Sequence, residues 1–264
     1  MQLLGRDISR YVRRIPETFS YLNYFFKCFR LFNNPHEFIW AYLLSRPLSN
    51  RVVELRNGLK IYLSEHPHDV ISVFVVFVRE DYGGIQPGST VVDIGANIGI
   101  FSLYAAHNRA TRVFAYEPNS ESYYYLLQNI KANHLERVIL PCRLAVVGTP
   151  GEQVRFPTKS SMYNAIITND DRTDFEWVNT IGLPEILDQT GDINLLKLDC
   201  EGAEYGILFS IGQDIYARIQ NIRLEYHSGN EHAIENHLTR YGFIKRCSKA
   251  DTANSGTMWY EKIL

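Results

Sequence analysis

The sequence predicts an α/β fold, in which a mostly parallel sheet carries helices between its strands. From about residue 68 onward, strand-like and helix-like segments alternate, which is typical of βα units. The segment that begins at Val91 reads as a buried apolar strand that runs into a glycine-rich turn and then an amphipathic helix. The chain has 264 residues, of which 45% are hydrophobic and 21% charged, so it can bury a sizeable core.

The elements follow one another in a regular order along this part of the chain. Parallel strands are expected at Thr90–Ile94, Arg112–Tyr116, within Val138–Val147, at Asn194–Leu198 and at Asn221–Tyr226. Helices are expected between them at Ile98–His107, Asn119–Asn133, Gly202–Ser210 and Glu231–Tyr241. Two final strand-like runs with a polar connection predict a terminal β-hairpin, at Gly242–Lys245 and Thr257–Ile263. A dinucleotide-binding fold does not usually end in this way.

The chain before residue 68 divides into two parts. Residues 51–67 contain two β-rich runs around Asn57-Gly58, a hairpin signal at the start of a domain that spans 51–264. Residues 1–50 are rich in aromatic and basic side chains, with an apolar stripe at helical spacing, and predict a helical extension. This extension either covers the domain or forms a homo-oligomer contact, or it is a basic amphipathic surface that rests on anionic lipid.

Charge and cysteine usage limit the class of protein. A net charge of −2 gives no reason to expect a nucleic-acid partner. The four cysteines show no CxxC pair and no zinc spacing, which favours reduced thiols. The longest apolar run, Val70–Val78, is about half the length of a membrane span, and the N-terminus lacks the pattern of a secretory signal. We therefore expect a cytoplasmic protein.

A glycine-rich turn joins the first strand to the first helix in VVDIGANIG (91–99). Gly95 and Gly99 can adopt backbone conformations closed to other residues and keep side-chain bulk away from a ligand. Asp93 lies at the end of the strand, Ala96 lies within the turn, and Asn97 is a good N-cap for the helix. These five residues are the candidate ligand contacts. The alternative is a tight connection with a helix cap and no ligand.

The ligand of this turn is not expected to be a phosphate. The run G-A-N-I-G lacks the paired glycines of G-x-G-x-x-G, and the G-K-[ST] of a phosphate loop is absent. Asp93 would repel a pyrophosphate but suits a cation such as S-adenosylmethionine. Glu117, at the tip of the second strand, is expected to accept hydrogen bonds from ribose hydroxyls. Its alternative role is an acid at a helix N-terminus before Pro118.

The motifs together resemble a known family. Asp93–Gly99 and Tyr116–Pro118 are similar to class I S-adenosylmethionine-dependent methyltransferases. Leu196–Glu204 (LKLDCEGAE) and Val178–Leu187 narrow the resemblance to the FkbM family, over roughly residues 68–260. The resemblance implies the Rossmann-like fold of seven strands with an antiparallel C-terminal hairpin. It also implies O-methylation of hydroxyls, often on sugars, glycolipids or secondary metabolites.

Acidic residues follow the fourth strand, where ligands of open α/β sheets bind. Asp199 and Glu201 are the candidates for contact with cofactor or acceptor, and Asp199 is assigned to both the cofactor site and catalysis. Glu204 is interpreted as a cap or a solvent-facing side chain. The alternative for Glu201 or Glu204 is stabilisation by the dipole of the following helix, an account that explains three acids around Gly202 less well.

Methyl transfer to an alcohol needs a group that removes the hydroxyl proton. His227, at the end of the fifth strand, is the candidate base, and Glu225 shares its face of the sheet. The alternative is a polar residue that merely ends the strand. His68 is a second histidine candidate, although a helix-capping role is favoured for it.

A metal-assisted variant remains an alternative. Asp199 and Glu225 could hold Mg²⁺ beside the acceptor oxygens. Yet the fifth strand ends in Glu-Tyr-His, where Mg²⁺-dependent relatives supply adjacent Asp and Asp/Asn. No metal ligands are therefore assigned.

The sequence thus predicts an S-adenosylmethionine-dependent O-methyltransferase. The rival enzyme class is an NAD-type oxidoreductase, and the rival outside enzymes is a non-catalytic nucleoside-binding module. The acceptor, a small molecule or a glycan, is expected to lie against irregular segments such as Thr158–Arg172, which carry no readable specificity code.

Overall fold

The structure is a computed structural model that describes most of the chain. It covers residues 2–3, 6–7, 15–159, 165–167, 173–227, 231–250 and 255–263, with side chains from residue 22 onward. Much of Thr158–Arg172, expected to contact the acceptor, lies outside the described residues.

Helices and strands alternate as the sequence predicts. The helices are α1 (Ile15–Leu31), α2 (Pro35–Leu43), α3 (His68–Val73), α4 (Ile100–His107), α5 (Ser120–Ala132), α6 (Leu183–Thr190), α7 (Glu204–Phe209), α8 (Gln213–Tyr216) and α9 (Glu231–Arg240). A π-helical segment, Phe74–Arg79, continues α3. The first eight strands are β1 (Gln2–Leu3), β2 (Arg6–Asp7), β3 (Val52–Glu54), β4 (Lys60–Tyr62), β5 (Thr90–Ile94), β6 (Arg112–Tyr116), β7 (Ile139–Cys142) and β8 (Ala145–Val146). The remaining strands are β9 (Val154–Pro157), β10 (Phe175–Val178), β11 (Thr180–Ile181), β12 (Ile193–Leu198), β13 (Ile219–Tyr226), β14 (Phe243–Ala250) and β15 (Gly256–Lys262).

Seven strands form the central sheet, in the order β14-β15-β13-β12-β5-β6-β7. The strands from β13 to β7 are parallel, and β15 pairs antiparallel with both β13 and β14. This confirms the predicted mostly parallel sheet and its terminal hairpin. The chain builds β5, β6 and β7 outward in one direction and then returns to place β12 on the other side of β5.

Burial explains why these segments are strands. In β12 all side chains except Asn194 are buried, as expected of a central parallel strand with helices on both faces. In β13 buried and less buried positions alternate, because this strand lies next to the antiparallel hairpin. The core divides into two large apolar clusters, one on each face of the sheet.

Two expected elements differ from the prediction. The segment Val138–Val147 forms two strands, of which β7 ends the sheet while β8 pairs in parallel with β11 outside it. Helix α7 begins at Glu204 rather than at Gly202, because Glu201 and Gly202 take left-handed φ values of 51° and 103°.

Helices α1 and α2 pack onto the domain. Three side chains are buried in the same core cluster as Phe74: Cys28 of α1, Phe32 just after α1, and Phe38 of α2. Other apolar side chains of these helices are exposed, including Phe26 at 67% and Trp40 at 59%. β3 and β4 pair antiparallel next to them, as the hairpin signal predicts. Within the described residues, no helix combines the length and the apolar character that crossing a bilayer requires.

Candidate active site

A cavity of about 450 Å³ lies at the carboxyl ends of β5 and β12. After β5 the chain continues to β6 on one side of the sheet, and after β12 it continues to β13 on the other side. The connections that follow these two neighbouring strands therefore separate and leave a crevice, which is where open α/β sheets bind ligands. Seven of the predicted site residues line the cavity: Gly95, Ala96, Asn97, Glu117, Asp199, Glu201 and His227. Asp93 and Gly99 are not among the lining residues, and neither is His68.

The glycines of the turn are required by the protein itself. Gly95 has φ +75°, and a Cβ there would lie 1.8 Å from the carbonyl oxygen of Asp199 on the neighbouring strand end. Gly99 has φ +88°, and a Cβ there would lie 2.5 Å from Leu126 Cδ1. The N-cap of α4 is Gly99, so the expected N-cap role of Asn97 is wrong: the helix begins three residues later, at Ile100.

The amides of the turn are already engaged. Gly95 N and Ala96 N donate to the carbonyl of Tyr116, at 3.1 and 3.0 Å. Asn97 N donates to Glu117 Oε2 at 2.7 Å. Asn97 itself has φ +50°, and its Oδ1 is buried without a hydrogen-bond partner among the described residues. Asn97 Oδ1 is therefore an acceptor that no described group satisfies, and these three amides are not free to hold a pyrophosphate.

Glu117 is held in place by two backbone donors. Asn97 N donates to Oε2 at 2.7 Å, and Asn119 N donates to Oε1 at 2.8 Å. Burial raises the pKa of Glu117 to about 7. Each carboxylate oxygen has a second lone pair, so the side chain can still accept hydrogen bonds from hydroxyls in the cavity that it lines.

Asp93 faces the interior beneath the turn. Ser102 Oγ donates to Asp93 Oδ2 at 2.7 Å, and Lys197 Nζ lies 3.1 Å from Oδ1. Lys197 is 3% exposed, donates to the carbonyl of Gly95 at 2.8 Å, and lies 3.6 Å from Asp199 Oδ2. Asp93 thus contacts Lys197, and it is Lys197 that lines the cavity beside Asp199.

Sequence reasoning missed Lys197, although a signal was present. A lysine inside the apolar run NLLKL needs a carboxylate partner if the strand is buried. Burial alone would lower the pKa of Lys197, but the charges of Asp93 and Asp199 outweigh it and hold the pKa above its usual value. The ammonium therefore stays charged in the core.

Tyr82 was also missed, and the sequence carries no signal for it. Its hydroxyl donates to Asp199 Oδ2 at 2.8 Å and lies 3.4 Å from Glu225 Oε2. Burial, together with the charges of Asp199 and Glu225, raises the pKa of Tyr82 well above its usual value. The tyrosine therefore remains a hydrogen-bond donor to the strand-end carboxylates.

The candidate catalytic side chains meet at one wall of the cavity. His227 Nε2 lies 3.4 Å from Glu201 Oε2 and 3.9 Å from Glu225 Oε1, and Nδ1 lies 3.3 Å from Glu204 Oε1. Burial alone would lower the pKa of His227, but the contact with Glu204 and the charges of Glu201 and Glu204 raise it to about 9. Burial raises the pKa of Glu201 to about 7. In the cofactor-free protein the imidazole is therefore protonated at neutral pH.

Glu204 is neither a solvent-facing acid nor a simple helix cap, so its expected role is wrong. The side chain is fully buried, Oε1 accepts from Cys200 N and Oε2 accepts from Gly202 N, both at 2.8 Å. These bonds fix the loop between β12 and α7. They hold Glu201 in its left-handed conformation, with its side chain lining the cavity.

The site as a whole is rich in acceptors and carboxylates. The cavity is lined by Asn97, Glu117, Asp199, Glu201, Glu225 and His227. Such a lining favours a ligand that carries positive charge and hydroxyl donors. Asp199, Glu201 and His227 can each also place one ligand atom within 4.8 Å of the others, as a metal site requires.

Comparisons with known proteins find methyltransferases among the proteins similar to this chain. The family model described as "Methyltransferase FkbM domain" matches residues 93–245. Methyltransferase sdnD of Sordaria araneosa is 27% identical over 178 residues, which are 55% of this chain and 69% of that protein. Among solved structures, the M. jannaschii tRNA m1G37 methyltransferase has a TM-score of 0.47 at 14% identity, covering 81% of this chain and 57% of its own. The magnesium protoporphyrin IX methyltransferase of Synechocystis, solved with bound SAM, has a TM-score of 0.41 at 11% identity, covering 74% and 79%.

Other curated relatives are much longer than this chain. The chain spans 11% of the tRNA (guanine(37)-N(1))-methyltransferase of Batrachochytrium dendrobatidis, with 45% identity over 51 residues. It also spans 11% of the AMB antimetabolite synthetase AmbE of Pseudomonas aeruginosa, with 24% identity over 231 residues. The matched family region extends over more than half of this chain and includes the glycine turn. It also includes the carboxylate wall, which is the cluster of Asp199, Glu201, Glu204 and Glu225 around His227 at one side of the cavity. The chain therefore belongs to the FkbM methyltransferase family.

Proposed function

We propose that the protein is an S-adenosylmethionine-dependent O-methyltransferase whose acceptor is a hydroxyl of a sugar, a glycolipid or a secondary metabolite. One observation carries the proposal. The acceptor-rich turn and the cluster of Asp199, Glu201 and His227 line one cavity of about 450 Å³. A donor molecule and an acceptor hydroxyl can therefore meet in a single space.

The cofactor half of the cavity fits S-adenosylmethionine by its chemistry. Glu117 has lone pairs left for ribose hydroxyls, and Asn97 Oδ1 is a buried acceptor without a partner among the described residues. The carboxylate wall suits a cation. When bound, this cofactor supplies a methyl group on a positively charged sulfur.

The carboxylate wall supports the transfer step. The oxygen–carbon bond forms as the carbon–sulfur bond breaks, and the hydroxyl proton passes to a base or to water. A protonated His227 cannot accept that proton, but a sulfonium in the same cavity favours the neutral imidazole. His227 and Glu201 are 3.4 Å apart, so they exchange a proton as a pair. This keeps His227 as the proposed base, with Glu201 as its partner.

The same contacts argue against the rival functions. An NAD-type oxidoreductase would use the amides of the turn for a pyrophosphate, but those of Gly95, Ala96 and Asn97 are already engaged. A non-catalytic nucleoside-binding module would need Glu117 but would not need the cluster around His227. It would therefore tolerate the loss of Asp199 and His227.

Calorimetric titration tests the proposal. We expect S-adenosylhomocysteine to bind and NAD not to bind, and the absence of heat with the former would overturn the proposal. Glu117→Ala should weaken binding by removing the proposed ribose acceptor. Asp93→Ala should also weaken it, because Lys197 then loses its closest carboxylate.

Transfer is tested with methyl-labelled cofactor and a panel of hydroxylated sugars and glycolipids. The labelled product should survive mild alkali, as a methyl ether does and a methyl ester does not. His227→Ala should retain S-adenosylhomocysteine binding but slow the transfer. Unchanged turnover of this variant would remove His227 from the mechanism.

A further inference from the structure

We infer that Asp199, Glu201 and His227 form a binding site for a divalent transition-metal ion. One ligand atom from each lies within 4.8 Å of the others. Ligand atoms about 2.1 Å from one ion lie about 3 Å apart when adjacent and about 4.2 Å apart when opposite. His227 Nε2 and Glu201 Oε2 are already 3.4 Å apart. Small rotations would therefore let the three side chains share an ion.

One proposed ligand has an outer hydrogen-bond donor, and another has a carboxylate close to its second ring nitrogen. The Tyr82 hydroxyl donates to Asp199 Oδ2 at 2.8 Å. Glu204 Oε1 lies 3.3 Å from His227 Nδ1, which makes no hydrogen bond among the described residues, while Nε2 of the same ring lies 3.4 Å from Glu201 Oε2. A carboxylate on one ring nitrogen with an ion on the other is the common arrangement of a metal-bound histidine. Glu204 is fixed by two amides, so it can hold the ring in this orientation.

Carboxylates outnumber the cationic side chains at this wall within the described residues. The cluster contains four carboxylates: Asp199, Glu201, Glu204 and Glu225. Besides His227, the cations that line the described part of the cavity are Lys197 and Arg79. Lys197 lies closer to Asp93, at 3.1 Å, than to Asp199, at 3.6 Å, and Arg79 pairs with Asp81. A dication held by Asp199, Glu201 and His227 would therefore lie among carboxylates.

The ligand types indicate the class of ion. Mg²⁺ and Ca²⁺ prefer all-oxygen sets, whereas an imidazole with two carboxylates suits Mn²⁺, Fe²⁺ or Zn²⁺. Three protein ligands leave coordination positions open towards the cavity. This inference rests on the proposed function for its purpose and changes the role of His227, because an imidazole that holds an ion through Nε2 cannot also accept the hydroxyl proton. A dication beside the acceptor would lower the pKa of the hydroxyl, so that its proton leaves to water.

Mn²⁺ binding to the full chain tests the site directly. Protein freed of metal with a chelator is titrated with Mn²⁺, and the loss of the free-ion signal in electron paramagnetic resonance measures the dissociation constant. We expect binding in the micromolar range, weakened at least tenfold by His227→Ala and by Glu201→Gln. Glu225→Gln is the matched control, because it removes a charge from the same wall without removing a proposed ligand. It should change the dissociation constant less than threefold.

Two results would overturn the inference. One is the absence of Mn²⁺ binding below about 1 mM to the folded wild-type protein. The other is an equal loss of affinity in Glu225→Gln, which would indicate a diffuse attraction of cations or the alternative ligand pair Asp199 and Glu225. Circular dichroism shows that each variant is folded, and Glu201→Gln keeps the test decisive if His227→Ala misfolds. Titration of the same samples with S-adenosylhomocysteine separates the two proposals. A protein that binds S-adenosylhomocysteine but does not bind Mn²⁺ refutes the metal site and leaves the proposed function standing.

Discussion

The burial of Glu117 predicts an unusual dependence of stability on pH. The side chain is 6% exposed, and its pKa rises from 4.5 to about 7 because burial disfavours the carboxylate. The folded protein then binds a proton more tightly than the unfolded chain does. The contribution of the protonated Glu117 to the free energy of unfolding is fully present below pH 4.5 and is lost as pH rises through 7.

The magnitude follows from the two pKa values. At about 1.36 kcal/mol per unit, a rise from 4.5 to about 7 corresponds to about 3 kcal/mol in the free energy of unfolding. About 2.5 kcal/mol of this falls between pH 5 and pH 8. A glutamine at this position does not titrate, so Glu117→Gln should lack this loss.

Urea unfolding at pH 5 and pH 8 measures the difference between wild type and Glu117→Gln. Both proteins are cofactor-free, and the other titrating groups contribute equally to both, so only the difference between their pH dependences counts. The wild type should lose about 2.5 kcal/mol more than the variant between the two pH values. Glu152→Gln, which removes an exposed carboxylate, should follow the wild type. Parallel pH curves for Glu117→Gln and wild type, within about 0.5 kcal/mol, would refute the argument from burial.

Three further predictions concern the contacts beneath the turn and the loop after β12. Gly95→Ala should lower the free energy of unfolding by more than the roughly 1–2 kcal/mol of a left-handed alanine, because its Cβ would meet backbone at 1.8 Å. Gly88→Ala, with φ +84° and open space, is its control, and equal losses in urea unfolding would contradict the clash. Lys197→Met should cost about 3–5 kcal/mol by leaving a buried carboxylate uncompensated. Adding Asp93→Asn should recover more than half of that loss; no recovery would show that the pair is not the cause. Glu204→Gln should lower the free energy of unfolding by about 1–3 kcal/mol, since one loop amide loses its acceptor; unchanged thermal unfolding would contradict this.

Several features of the site could be predicted from local sequence. The strand Thr90–Ile94, the turn after it and the acid at the end of β6 are read from apolar runs, glycines and a charged residue at a strand end. Such patterns act within a few residues, and parallel strands bring their carboxyl ends to one edge of the sheet. Glu117, Asp199 and Glu201 accordingly line the cavity.

The roles of individual side chains could not be predicted in the same way. Asp93 was expected to meet a ligand, but it pairs with Lys197, which lies 104 positions further along the chain. Asn97 was expected to cap a helix, but its backbone turns left-handed and its Oδ1 stays unpaired among the described residues. In both cases the outcome depends on which groups the neighbouring strand ends bring close.

The sequence by itself determined the sheet, its terminal hairpin, the glycine turn and the family. These follow from the periodicity of apolar residues and from short motifs, both of which are local. The tertiary structure alone decided that Gly95 is needed because of Asp199, that Tyr82 donates to that carboxylate, and that His227 is surrounded by acids. The physical reason is that charge, burial and clash depend on distances in space, and the fold sets those distances between residues far apart in the chain.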